Sequence, residues 1–167
     1  MQIRIRETGA VMYESEFRAL FPNTSLPQQL TEALINDLGA DVVFEGPQAS
    51  GGTVYQYSQA AGVEQINGKW YTKHILGPVF TDTTDESGNV TSAAANEAAY
   101  KAAKDADQAK SVRATRDSKL AESDWRVIKA AETSTTLDAA WATYRQALRD
   151  VTGQEGFPWT ITWPDAP

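Results

Sequence analysis

The residues able to do chemistry are few in this chain, and their spacing gathers no set of them. His74 is the only histidine. Acid–base or nucleophilic work would need a nucleophile or second base beside it, and nothing in the sequence points to one, so it reads as a surface or half-buried strand residue. One histidine and no cysteine leave a zinc site without its usual donors. Asp82-Thr83-Thr84-Asp85-Glu86-Ser87-Gly88-Asn89 invites a calcium-loop reading. Gly88 falls at the seventh position, however, and Ala93 stands where the bidentate Glu belongs, so the run reads as a solvated turn before a helix. Gly46 to Gly52 lacks the Gly-Lys-Ser/Thr ending of a phosphate loop and reads as a linker. Asn23-Thr24-Ser25 and Asn89-Val90-Thr91 match glycosylation acceptors in form only, since no secretion signal accompanies them. No catalytic, cofactor-binding or metal-ligating residue is assigned. No cofactor is expected, and no enzyme activity.

The chain offers aromatic anchors instead. Four of its five Trp, namely Trp125, Trp141, Trp159 and Trp163, lie in the last third. Rings this large imply dense packing or a partner surface. Leu137, Trp141, Tyr144, Leu148 and Val151 recur at spacings of four, three, four and three, the apolar stripe of an amphipathic helix. Its simplest role is a core face. A small unit needs only one or two Trp for its core, so some rings are candidates to cover a partner, with Arg145 and Arg149 on the rim. The same charges have a plainer role as solvated helix residues. The candidate partner-binding residues are Trp125, Trp141, Tyr144, Arg145, Phe157, Trp159 and Trp163.

A length of 167 residues suits one compact domain or two small units. The hydrophobic fraction of 41% leaves room for an exposed or partner-facing part. Absence of cysteine excludes a disulfide scaffold and fits assembly in a reducing compartment. A net charge of −7 argues against nucleic acid as the main ligand. Met1-Gln2-Ile3-Arg4-Ile5-Arg6 alternates apolar and polar residues and lacks the apolar core of a signal peptide. No run reaches membrane-span length. The expectation is a soluble protein made in a host cytoplasm, with no membrane partner.

The elements that must position these residues suggest an α+β fold. A small mixed α/β N-terminal unit with a β-hairpin is followed by a long alanine-rich helix, then a short helix and an extended Trp-rich tail. Ile3 and Ile5 mark a half-buried strand, and Val11 to Tyr13 pairs with it after a turn at Gly9. Glu14 to Leu20 reads as a short helix stopped by Pro22. Thr24-Ser25-Leu26-Pro27 signals the start of another, carrying Leu30, Leu34 and Leu38 and ending at Gly39. Asp41 to Glu45 and Thr53 to Tyr57 read as strands. Val63 to Ile66 and Lys69 to Leu76 form a hairpin over a type I′ turn at Asn67-Gly68, ended by Gly77-Pro78. The polar stretch 81–91 precedes Ala93 to Leu120, which is rich in alanine and free of Pro and Gly. Its only large apolar residues are Tyr100, Val112 and Leu120, so it is expected to pack through Ala faces, pair with copies of itself, or stand as a stalk. Ser123-Asp124 is expected to break it. Thr135 with Asp138 caps the striped helix, Gly153 closes it, and Phe157 to Pro167 is extended. The divisions expected are 1–80, 81–122 and 123–167.

The segments "RDSKLAESDW", "AWATYRQALRDV" and "GFPWTITWP", over roughly residues 113–164, resemble the C-terminal segment of tailed-phage tail fibre assembly proteins and related tail-associated proteins. From "MQIRIRETGAVM" to "LGPVF" the chain looks like small phage tail proteins that carry this segment. The resemblance implies a helper or accessory protein of a receptor-binding tail fibre, acting by protein–protein binding without catalysis. Its partner would be a tail fibre or neighbouring tail protein, with self-association through the alanine-rich helix a further expectation. The alternative is a permanent structural component of the tail, baseplate or fibre, retained in the virion. Copy number in finished particles separates the two.

Overall fold

Ile3 and Ile5 alternate with Arg4 and Arg6, and the strand they form, β1 (Gln2–Ile5), lies inside a five-stranded sheet. The computed structural model describes residues 1–167 and divides into two compact units, Met1–Val79 and Phe80–Pro167. In the first unit β2 (Val11–Tyr13) pairs antiparallel with β1, with Gly9 at φ +73° in the turn between them. α1 (Glu14–Ala19) follows, and the Glu16 carboxylate accepts the Tyr13 N–H at 2.7 Å at its start. After α2 (Glu32–Asp37) come β3 (Ala40–Phe44), β4 (Tyr57–Ile66) and β5 (Lys69–Gly77). The strand order is β2-β1-β3-β5-β4, with only β3 and β5 parallel. Ile3, Phe17, Leu30, Ile35 and Ala40 form the core. Full burial of Ile3, Phe17 and Ile35 contributes about 1.5–3 kcal/mol each. The expected type I′ turn is present, with Asn67 at φ +50° and Gly68 at φ +80°.

Three local expectations for this unit are corrected. α2 does not start near Thr24-Ser25 but at Thr31, whose Oγ1 accepts the Leu34 N–H at 3.3 Å. The physical reason is Arg18: its guanidinium takes the carbonyls of Pro27 and Gln28 at 2.9 and 2.8 Å, and a helix through those residues would need them itself. Thr53 to Gln56 is a turn rather than a strand, closed by Gln56 N–H on the Thr53 carbonyl. β4 then runs unbroken from Tyr57, and its irregularity between Ala60 and Val63 contains Gly62 at φ +88°. In the connector, a Cβ at Gly46 would come within 2.0 Å of the Thr72 carbonyl oxygen, so only glycine lets the chain pass this close to β5.

The second unit opens on a two-stranded hairpin, β6 (Thr83–Thr84) and β7 (Val90–Thr91), within the expected polar stretch. The Asp85 carboxylate accepts the Ser87 and Asn89 N–H groups and the Asn89 side-chain amide, each at 2.9 Å. Those bonds, led by that of the Asn89 amide, hold its pKa below the ordinary value of 3.8. α3 (Ala93–Glu132) spans 40 residues, about 60 Å. It therefore continues past the break expected at Ser123-Asp124. Ser123 is absorbed rather than disruptive, because its hydroxyl donates back to the Lys119 and Leu120 carbonyls at 3.3 and 2.9 Å. α3 ends instead at Thr133, where Ser134 adopts φ +51°. The Ser134 N–H then reaches the Ala131 carbonyl and the Thr135 N–H the Ala130 carbonyl, which is the Schellman pattern.

α4 (Ala139–Asp150) turns back along α3. Asp138 caps it, accepting the Ala140 and Trp141 N–H groups at 2.9 and 3.4 Å; Thr135 belongs to the preceding turn. Gly153, expected to close it, is the last residue of a 3₁₀ turn, Val151–Gly153, that follows α4. The tail is extended only in its last part. Residues 155–159 are turns, and the Gln154 side chain clamps Thr162 by two reciprocal 2.8 Å bonds, giving to its carbonyl and taking from its N–H.

Candidate protein-binding surface

The apolar stripe of α4 divides into a buried part and an open part. Tyr144, Leu148 and Val151 are buried, while Trp141 is half-buried and Leu137 precedes the helix. Ala109, Val112 and Ser123 are the buried residues of α3. The stripe thus makes a core at its C-terminal end and leaves its N-terminal end to a surface.

Arg145, expected on a rim, is turned inward and is 7% exposed. Its guanidinium donates to the Leu120 carbonyl at 2.8 Å, to the Ser123 hydroxyl, and to Asp124 Oδ1 at 2.6 Å. This binds α4 to the stretch of α3 that was expected to break. Arg149 remains exposed.

At the open end, Trp125 on α3 is 52% exposed. The Arg126 guanidinium lies 4.5 Å from the centre of the Trp125 ring and 3.7 Å from that of Trp141. Trp141 meets Tyr144 edge to face at 5.6 Å. Beside the two indoles, a cavity of about 240 Å³ is lined by Trp125, Arg126, Lys129, Leu137 and Asp138, among others. Ile128, one turn on from Trp125, is also exposed. Neither Arg126 nor Lys129 takes part in an ion pair.

The candidate residues are therefore not one cluster. Trp125, Trp141 and Tyr144 come together where α3 ends and α4 begins. Phe157, Trp159 and Trp163 are half-buried along the earlier part of α3. Arg113 lies 5.4 Å over the Phe157 ring and Lys119 5.8 Å over that of Trp163, and Trp159 Nε1 donates to Asp105 at 2.6 Å. Sequence reasoning missed Arg126 and Lys129. The only signal available was two cations on the helical face next to an exposed Trp, and the stacking partner of Arg126 is fifteen positions away.

No group of His, Cys, Asp and Glu side chains is arranged to hold a metal ion. His74, in the first unit, places Nε2 3.3 Å from Glu45 Oε1 and 3.1 Å from Gln48 Nε2. No helix is long and apolar enough to cross a membrane. No curated protein and no solved structure matches the chain. Residues 109–167, which hold Trp125, Arg126, α4 and the Trp-rich tail, match the family model of the phage tail assembly chaperone protein, and this match to the segment expected to resemble tail proteins supports a role in phage tail assembly.

Proposed function

We propose that the protein is a non-catalytic tail assembly chaperone or fibre-associated accessory that holds a tail fibre or neighbouring tail protein during assembly in the host cytoplasm. The observation that carries this reading is the Trp125–Arg126–Trp141 stack within the family-matched segment, open to solvent at Trp125. A fibrous or multimeric tail protein exposes apolar surface before it assembles, and an aromatic surface on a helper covers it until the neighbouring subunit takes its place. Tyr144, buried and edge to face with Trp141, supports that surface, and Trp125 is its most exposed ring. Self-association through the alanine-rich part of α3 remains a proposal alongside it.

Co-expression with the tail fibre, and separately with its neighbouring tail proteins, tests the reading. The expected result is a larger soluble, correctly multimeric fraction of one of them. Equal yield of soluble multimer with and without the protein would remove the chaperone reading. Quantified copy number in purified particles then decides whether the protein leaves or stays: stoichiometric presence is the outcome of the permanent structural alternative.

A further inference from the structure

The groove between the last turns of α3 and the start of α4 is lined by two cations, Arg126 and Lys129, and one carboxylate, Asp138. The chain has a net charge of −7. In the second unit three cations are matched by carboxylates, Lys101 by Glu97, Arg116 by Asp117 and Arg145 by Asp124, while others, such as Arg113 and Lys119, lie over aromatic rings instead. Arg126 and Lys129, three residues apart on one helix face, have no carboxylate partner and both line the groove. The one carboxylate of the lining, Asp138, caps α4, and the nearby backbone carbonyls are bonded too. Asp138 Oδ1 takes two backbone N–H groups, and the carbonyls of Lys129, Ala130 and Ala131 take those of the capping turn.

The stack on Arg126 adds direction to that charge. Indole rings close to the guanidinium leave its N–H groups to bond outward, and a carboxylate matches that fork. Because packing already holds the side chain, less conformational freedom is lost when a carboxylate arrives. Leu137, Ala130 and the exposed part of Trp125 supply apolar surface beside it.

We propose that this groove takes an acidic, apolar segment of the partner protein, with one carboxylate on the Arg126 guanidinium, Lys129 adding charge, and a neighbouring apolar side chain against Leu137 and Trp125. The proposal rests on the protein-binding reading above and adds the chemistry of what is bound. A basic segment would meet two unpaired cations, and a purely apolar one would leave the guanidinium edge unused.

The test uses the full chain, labelled for NMR, and three peptides: acetyl-Leu-Glu-Leu-Asp-Leu-amide, its Gln/Asn counterpart and its Lys/Lys counterpart. The acidic peptide is expected to shift the indole N–H signals of Trp125 and Trp141 and leave that of Trp70 in place. It should bind at least tenfold more tightly than the Gln/Asn peptide, and added salt should weaken it. Arg126→Gln should lose about tenfold or more and Arg126→Lys less, because the stem and charge remain but the fork does not. An unchanged unfolding transition in both variants ties the loss to the groove. Equal binding of the Gln/Asn peptide, tighter binding of the Lys/Lys peptide, or no shift with millimolar acidic peptide would overturn the proposal. Co-expression separates it from the broader reading. If wild type solubilises a tail protein and Arg126→Gln does so equally well, the groove proposal fails while the chaperone reading stands. If wild type solubilises none, the chaperone reading fails, and the peptides still report on the groove.

Discussion

Arg145 of α4 donates to Asp124 of α3 at 2.6 Å, with the Arg145 side chain 8% exposed and that of Asp124 55% exposed. The same guanidinium also satisfies the Leu120 carbonyl and the Ser123 hydroxyl. Arg145→Met keeps much of the stem and removes all three bonds. It should destabilise the second unit by about 2–3 kcal/mol, since three bonds from a buried cation are lost together. Asp124→Asn should cost only about 1 kcal/mol, because Asp124 is half in water. Denaturant unfolding followed by Trp fluorescence measures both. Equal losses would mean that the ion pair, not the buried polar set, holds the helices together.

The tail is predicted to be fastened by polar bonds as well as by its rings. Gln154→Ala removes both bonds to Thr162, and Trp159→Phe removes the bond to Asp105 while keeping a ring. Each should cost about 1–2 kcal/mol. Hydrogen exchange at Thr162 should accelerate in Gln154→Ala, while Leu148, fully buried in α4, keeps its protection. Unchanged exchange at Thr162 would show that the rings alone hold the tail.

Much of the fold could be read from the chain where a signal is local. The alternation at Ile3 and Ile5, the Asn67-Gly68 turn and the stripe from Trp141 to Val151 each depend on neighbours within one element. Two of the misreadings arise where a distant side chain decides. Arg18 took the carbonyls that would have let a helix begin near Pro27. Arg145 stabilised α3 across Ser123-Asp124, a pair that reads locally as a break. The candidate surface was half visible for the same reason. Trp125 and Trp141 are conspicuous as types, but their common partner Arg126 and the inward turn of Arg145 follow from how α4 folds back on α3.

Ser134 holds φ +51° at the end of α3, a conformation that costs a side-chain-bearing residue energy and costs glycine none. Ser134→Gly is expected to raise stability by about 0.5–1 kcal/mol, and Ser134→Val to lower it by more. Thermal unfolding decides. A destabilised Ser134→Gly would mean that the hydroxyl, rather than the backbone, matters at this turn.

The β6–β7 turn should be acid-sensitive. Asp85 has a folded pKa below 3.8, so its stabilising effect is present above that value and is lost as pH falls through the lower folded pKa. The Asn89 backbone and side-chain amide signals should therefore move between mild and strong acid before the α4 core responds. Asp85→Asn should abolish that early step. Retention of the step in Asp85→Asn would assign it to another carboxylate.

On the proposed function, the chain holds a tail protein on the aromatic surface where α3 meets α4. The most direct measurement is the affinity of the purified full chain for the tail fibre and each neighbouring tail protein of the phage that encodes it, with wild type and Trp125→Ala side by side. Trp125 is 52% exposed, so its loss should change stability by less than about 1 kcal/mol. One tail protein is expected to bind wild type and to bind Trp125→Ala at least tenfold more weakly, with the unfolding transitions superimposed. Binding to none of them, or equal binding by both chains, would contradict the proposed function.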